Sequence, residues 1–222
     1  MKNHFLRPIL WVASVVFTLI VTSANALSGP PLICHPIQIG NALSLPPGKS
    51  PHGAKSDYDR SRLVEETLEL LKPEMPVLVR METLRRATLY ASGIYRGDQG
   101  WKNQSEQSRR IAYELLSRLM ARALQTNAGE NKSATAWFDV GYLTACYEQA
   151  NLGKDFRGYE FVKKALVLSG NDAEMEFACA VVTVWPKNAD HPMHVQKAKA
   201  AIRGNSLLAA NFQERFGGEK TP

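Results

Sequence analysis

The chain has 222 residues, with 27 lysines and arginines against 21 aspartates and glutamates, which gives a formal net charge of +6. This excess is modest and is not clustered with aromatic residues, so it argues against a nucleic-acid-binding surface. The length and the 45% hydrophobic content are sufficient for one domain with a sizeable core.

Residues 1–26 are predicted to be a secretory signal peptide. Lys2 and Arg7 give the positive start, residues 9–21 form an apolar run shorter than a membrane span, and Ala24-Asn25-Ala26 supplies small residues for cleavage. An uncleaved anchor is the alternative interpretation. We expect a periplasmic or extracellular protein that has no stable membrane span once the signal is removed.

Residues 27–57 are predicted to form an extended, proline-rich N-terminal arm. Six prolines in this stretch favour an extended conformation for the residues that precede them. Ile33, Ile37 and Ile39 alternate like a short strand, but the chain offers no second strand for pairing. The run CHPIQIG within this arm resembles uncharacterised exported bacterial proteins, and the resemblance implies no activity.

Residues 58–218 are predicted to be a helical domain. Apolar residues recur at three- and four-residue spacing throughout, which predicts about eight helices joined by short loops. Proline and glycine, for example Pro73, Pro76 and Gly93, mark the predicted helix ends. The expected fold class is therefore all-α.

Arginines are expected on the outer faces of two of these helices. Arg80, Arg85 and Arg86 are predicted to point away from the apolar stripe, with Glu82 spaced for ion pairs at i+3 or i+4. The next helix has a basic face that is either solvated or a surface for an anionic ligand. The arginines of that face are Arg109, Arg110, Arg118 and Arg122.

Two turns recur at an interval of 34 residues, Gly170-Asn171 and Gly204-Asn205. The segments VKKA at 162–165 and VQKA at 195–198 recur at an interval of 33. Each repeat has the form helix, glycine stop, asparagine cap, helix, which is the pattern that stacked helical hairpins need. The region from residue 134 is therefore predicted to be repeat-like.

This region, residues 134–216, resembles a tetratricopeptide repeat. Small and aromatic residues stand at the family's spacing in two consecutive predicted helices: Trp137, Val140, Gly141, Phe161 and Ala165. The loop between the two helices is longer than the family's. The resemblance implies antiparallel helical hairpins stacked as a short array, with the small residues allowing close helix approach and the aromatics filling the space between hairpins.

The cysteine count is odd, so at most one internal disulfide can form among Cys34, Cys146 and Cys179. Cys146 and Cys179 lie on neighbouring predicted helices. We expect them to be close enough either to bridge or to pack together as buried thiols.

A zinc or copper site is the strongest chemical candidate in the sequence. In a helix that begins at Asp190, His191 and His194 share one face at i and i+3. Cys34 and His35 add a thiolate and a third imidazole if the arm docks beside them. The alternative is a helix cap with exposed histidines.

No catalytic motif is present in the sequence, which has no serine elbow, glycine-rich phosphate loop or CxxC pair, so we do not expect an enzyme. Most aromatic residues follow the core spacing, whereas Tyr142 and Tyr159 fall off the stripe and are candidates to line a groove. The leading interpretation is an exported helical-repeat scaffold that binds a peptide or protein partner in that groove. The alternatives are a periplasmic metal-binding protein and an enzyme whose site is dispersed over several helices.

Overall fold

The structure is a computed structural model that describes residues 29–49, 54–93, 104–126, 133–153 and 157–218. The predicted signal peptide, residues 1–26, lies outside these ranges. Within them the chain is helical and contains no β-strand, which confirms the all-α class. No helix in the same ranges has the length and apolar character needed to cross a membrane.

Nine α-helices occur in the described ranges, and a 3₁₀ turn at Arg60–Arg62 leads into the second of them. The helices are α1 Pro31–Cys34, α2 Leu63–Leu70, α3 Val77–Ser92, α4 Glu106–Thr126, α5 Ser133–Gln149, α6 Gly158–Leu168, α7 Ala173–Val182, α8 His191–Ala201 and α9 Leu207–Phe216. The first turn is helical where extended chain was predicted, because Pro31 occupies the first helical position, where its fixed φ favours a helix.

Neighbouring helices in the chain are also neighbours in space. Each helix from α2 to α9 packs against the next one, and α3, α5 and α7 additionally contact one another while α9 contacts α7. We call the surface made by α3, α5, α7 and α9 the inner face. The short helix α1 lies against three of its members, α3, α5 and α7.

Helices α5 and α6 approach each other closely at two glycines. A Cβ atom added to Gly141 would lie 2.5 Å from the backbone nitrogen of Val162, and one added to Gly158 would lie 2.5 Å from that of Ala145. At one end of the pair the rings of Trp137 and Phe161 stack with centroids 5.4 Å apart. Only a residue without a side chain fits at either crossing point.

The turns before α7 and α9 are capped one residue later than the sequence suggested. Asn171 has a left-handed backbone (φ 66°), and its N–H closes the end of α6 on Leu166 O at 3.0 Å. The cap is therefore Asp172, whose Oδ1 accepts from Glu174 N and from Met175 N at 3.0 Å each. Ser206, 34 residues further on, caps α9 in the same way by accepting from Ala209 N at 3.2 Å.

Candidate functional site

The inner face holds residues 31–46, which we call the docked segment. After α1 this segment contains no helix. Five of its aliphatic side chains are nonetheless at most 8% exposed and belong to the hydrophobic core: Leu32, Ile33, Ile37, Ile39 and Leu45. The segment is therefore packed as an integral part of the domain.

Side chains of the inner face accept hydrogen bonds from main-chain N–H groups of the docked segment. The pairs are Leu32 N with Gln149 Oε1 (2.7 Å), Ile37 N with Glu82 Oε2 (2.9 Å) and Gln38 N with Asn211 Oδ1 (2.7 Å). Leu32 is in the first turn of α1, where amides have no intrahelical acceptor, and the other two lie outside any helix or sheet. The burial of all three therefore depends on acceptors from the inner face.

The carbonyl oxygens of the docked segment receive donors from the same helices. Arg85 donates to Ile33 O (2.8 Å), Arg86 to Leu45 O (2.5 Å), Tyr90 to Pro46 O (2.8 Å), Asn211 to Gln38 O (2.9 Å), and Arg215 to Pro31 O (2.6 Å) and to His35 O. The inner face thus recognises the backbone of an irregular peptide segment on both its donor and acceptor sides.

A buried ion cluster on α3 anchors this recognition. Glu82 Oε2 lies 2.7 Å from Arg85 Nε, and Glu82 Oε1 lies 2.7 Å from Arg86 Nε. Burial alone would raise the pKa of Glu82, but the hydrogen bonds and charge of Arg85, the Ile37 N–H and the Arg86 charge hold it below its ordinary value. The predicted i+3 and i+4 pairing is confirmed.

The predicted solvent-facing orientation of these arginines is wrong for Arg80 and Arg85, which are 1% and 2% exposed. The docked segment covers Arg85, and its carbonyls supply the partners that water would otherwise provide. Arg80 turns inward to Asp139 Oδ2 at 2.7 Å and donates to Met75 O at 3.0 Å in the α2–α3 loop. The burial of Asp139 raises its pKa to about 6, although Arg80 counters this.

An open cavity of about 940 Å³ lies beside the docked segment. Residues 42–46 form one wall, while α2, the α2–α3 loop and the first turn of α3 form the other. Its apolar lining includes Leu43, Leu45, Leu70, Met75 and Val79. Leu43 is 82% exposed at the edge of this cavity, so its side chain is available for contact.

The charges around this cavity are mixed but mainly acidic. Its charged lining consists of Arg62, Glu66, Glu69, Lys72 and Glu74. Arg62 and Glu66 are already paired at 2.8 Å, which leaves two carboxylates against one ammonium. The cavity therefore suits a ligand that combines an apolar side chain with positive charge.

Of the two predicted groove residues, Tyr142 does not line an open groove. It is 0% exposed and stacks on Phe138 with ring centroids 5.7 Å apart. Helix α5 is enclosed by α3, α4, α6 and α7, so none of its faces between residues 136 and 147 remains open. The position of Tyr142 off the apolar stripe therefore does not expose it.

Tyr159 is partly exposed and lies at a smaller cavity of about 300 Å³ that also has Trp185 on its lining. Its hydroxyl donates to Asp190 Oδ2 at 2.6 Å and contacts His194 Nε2 at 2.8 Å. Hydrogen bonds from Tyr159 and Lys163 lower the pKa of Asp190, so this side chain is an ionised acceptor for the phenolic hydroxyl. The other ring nitrogen of His194, Nδ1, lies 2.6 Å from Glu176 Oε2.

The predicted metal ligands on α8 are engaged by protein groups. Both ring nitrogens of His194 have the partners given above, and His191 Nδ1 lies 3.0 Å from Thr183 Oγ1 and from Ala180 O. Both histidines are buried, whereas the cap alternative had them exposed. In the described ranges no group of three or more His, Cys, Asp or Glu side chains is placed to hold a metal ion, with Cys34 and His35 included in that search.

No disulfide bond joins the three cysteines. Cys146 and Cys179 are fully buried, and Cys34 is partly buried. Burial raises the pKa of Cys146 and of Cys179, which keeps both thiols protonated and unreactive. Of the two arrangements expected for this pair, the structure therefore has buried thiols and no disulfide.

The arginines of α4 divide into two groups. Arg118 pairs with Glu65 at 2.9 Å, and Arg122 donates to Leu71 O at 3.0 Å, so both connect α4 to the α2 region. Arg109 and Arg110 are exposed near the start of the helix.

Comparison of the whole chain with protein-family models, curated proteins and solved structures gave no match.

Proposed function

We propose that this chain is an exported helical-repeat scaffold that binds an apolar, basic segment of a partner protein in the cavity beside residues 42–46. The main observation in support is the cavity of about 940 Å³, which has the exposed Leu43 at its edge and the carboxylates of Glu69 and Glu74 on its lining. The volume lies in the range of pockets that enclose a ligand. The proposal is of binding, and it assigns no catalytic step.

The docked segment supports a peptide as the ligand. The inner face already binds an irregular stretch of chain through its main-chain groups, so helices of this kind can hold peptide backbone. Those donors and acceptors are occupied by residues 31–46. A partner segment is therefore expected at the open side of the docked segment, where apolar contact and charge remain available.

The tetratricopeptide-like arrangement is proposed on three features. Turns capped by Asp172 and Ser206 recur at a 34-residue interval, Gly141 and Gly158 allow close packing of one hairpin, and consecutive helices pack against each other. Export is proposed on the predicted signal peptide.

Fluorescently labelled peptides test the binding proposal. A peptide of alternating Leu and Lys is expected to bind, whereas peptides of alternating Leu and Glu, or Ser and Lys, are expected to bind about ten-fold more weakly because each lacks one half of the complementarity. Leu43→Asp and the double variant Glu69→Lys/Glu74→Lys should each weaken binding of the Leu/Lys peptide. Val167→Asp, an exposed apolar position on α6, is the matched control.

Equal affinities for the basic and the acidic peptide would contradict the proposal. So would a Leu43→Asp protein that binds the Leu/Lys peptide as tightly as the Val167→Asp control.

A further inference from the structure

A further cavity of about 520 Å³, separate from the two described above, runs along α4. Its lining is mostly apolar and includes Leu116, Met120 and Leu124 from α4, with Leu152 from the turn after α5. Two large apolar side chains at this cavity are unusually exposed, Tyr113 at 75% and Leu124 at 58%. The cavity therefore presents an apolar trough on the surface of a domain whose other large apolar residues are mostly buried.

Two polar groups of this trough lack partners in the described part of the chain. Tyr147 lines the cavity and is 1% exposed, and its hydroxyl makes no hydrogen bond there. Arg109 also lines the cavity, and its guanidinium forms no ion pair with any described residue. A buried hydroxyl without a protein partner is uncommon and indicates a cost to the fold, a buried water or a missing ligand atom.

Arg109 and Tyr147 belong to the ends of α4 and α5 that lie close together. Gln104 Nε2 donates to Ala150 O at 3.0 Å, so the start of α4 meets the end of α5, where Tyr147 is located. Arg109 is in the first turns of α4, whereas Leu124 is near its other end, about 22 Å away at the rise of an α-helix. The trough thus has one polar end and a long apolar remainder.

We propose that this trough binds a fatty acid, with the carboxylate at the Arg109 end and the hydrocarbon chain along Leu116, Met120 and Leu124. Arg109 supplies the charge that a carboxylate requires. A carboxylate oxygen that enters beside Tyr147 gives the hydroxyl its missing acceptor, and because burial raises the pKa of Tyr147 this hydroxyl remains a donor. A slender chain with a terminal acid matches the trough better than a partner helix, which would leave the Tyr147 hydroxyl unpaired.

Displacement of dansyl-labelled undecanoate from the purified protein tests this inference. Laurate is expected to displace the probe, and its methyl ester should do so about ten-fold less well because the ester has lost the charge that Arg109 pairs with. Arg109→Gln should lower the affinity for laurate about ten-fold and leave the affinity for the methyl ester unchanged. Arg110→Gln is the matched control, because Arg110 is the next residue, is exposed and does not line the cavity.

Tyr147→Phe separates ligand recognition from folding. It should lower the affinity for laurate while leaving the melting temperature of the ligand-free protein unchanged or higher, since it removes a buried hydroxyl without a partner. The inference is overturned if the dansyl probe does not bind saturably, if laurate and its methyl ester compete equally, or if Arg109→Gln and Arg110→Gln behave alike. Displacement of the probe by an amphipathic helical peptide but not by laurate would instead assign the trough to a protein partner.

Discussion

The docked segment and the α5–α6 pair are both buried, but they are held in place by different means. After the single turn of α1, the docked segment has no regular hydrogen bonding of its own, so it is fixed by arginine, glutamate, glutamine and asparagine side chains from the helices. The α5–α6 pair satisfies its backbone internally and is fixed by the close approach of Gly141 and Gly158. A buried irregular segment therefore requires charged residues in the core, whereas a buried helix requires complementary shape.

Breaking the ion cluster that holds the docked segment should cause the largest loss of stability. Arg85→Met removes one of the two arginine partners of the buried Glu82 and the donor to Ile33 O, so the free energy of unfolding should fall by about 3–5 kcal/mol. Urea denaturation measures the loss, and hydrogen exchange should show reduced protection at Ile37 and Gln38 before α5 and α6. Arg110→Met, at an exposed position, should change stability by less than about 0.5 kcal/mol. A loss no larger than that of the control would show that the docked segment does not depend on Arg85.

Adding a single methyl group tests the other half of the comparison. Gly158→Ala places a Cβ 2.5 Å from Ala145 N and 2.8 Å from its Cα, and should cost about 1–3 kcal/mol of unfolding free energy. Alanine is intrinsically the better helix former, so any destabilisation reports packing alone. Gly218→Ala is the control, because its added Cβ meets no atom within 4 Å. Thermal denaturation of both variants gives the answer, and equal melting temperatures would rule out a tight α5–α6 crossing at Gly158.

The pH dependence of stability tests the contribution of the buried Asp139 side chain. Because Asp139 has its pKa raised from 3.8 to about 6 in the folded protein, it contributes stability below pH 4 that is lost as the pH rises through 6. Asp139→Asn cannot titrate, so its stability should lack this pH dependence. Relative to the wild type, the variant should therefore gain stability between pH 4 and 6, by up to about 1.4 kcal/mol per pH unit. Urea denaturation across this range would refute the assignment if the two stability curves ran parallel.

The smallest expected effect concerns the two recurrent turns. Asp172→Ala and Ser206→Ala each remove a cap from one helix, and each should cost about 1 kcal/mol. Asp172→Asn and Ser206→Asp retain a capping oxygen and serve as controls. Similar losses for the two alanine variants, measured by thermal denaturation, are expected of equivalent repeat turns. A loss at only one of the two positions would count against their equivalence.

The helices were predictable because their signals are local. Three- and four-residue spacing, together with proline and glycine at the ends, located all of the long helices of the described ranges, and the i+3 and i+4 spacing predicted the partners of Glu82. The caps shifted by one residue because Asn171 adopts a left-handed backbone to close the preceding helix, an outcome that depends on two turns at once.

The candidate site was not predictable, because it joins residues that are far apart in sequence. The large cavity has residues 42–46 on one wall and residues 62–79 on the other, and no periodicity relates them. The need for the docked segment shows only in the structure, where α3 has 15 of its 16 residues buried, three of them arginine or glutamate. Charged residues in a helix without an exposed face indicate that a further segment must cover them.

The hydrogen bonds from α9 to the docked segment have a consequence for the order of folding. Arg215 and Asn211 bind residues 31, 35 and 38 across sequence separations of 184, 180 and 173. During synthesis from the N-terminus, residues 31–38 emerge first but find these partners only after nearly all of the domain has been made. The docking of α9 against residues 31–38 is therefore a long-range and slow event. Until it occurs, an N-terminal stretch of apolar residues stays uncovered and needs protection from aggregation.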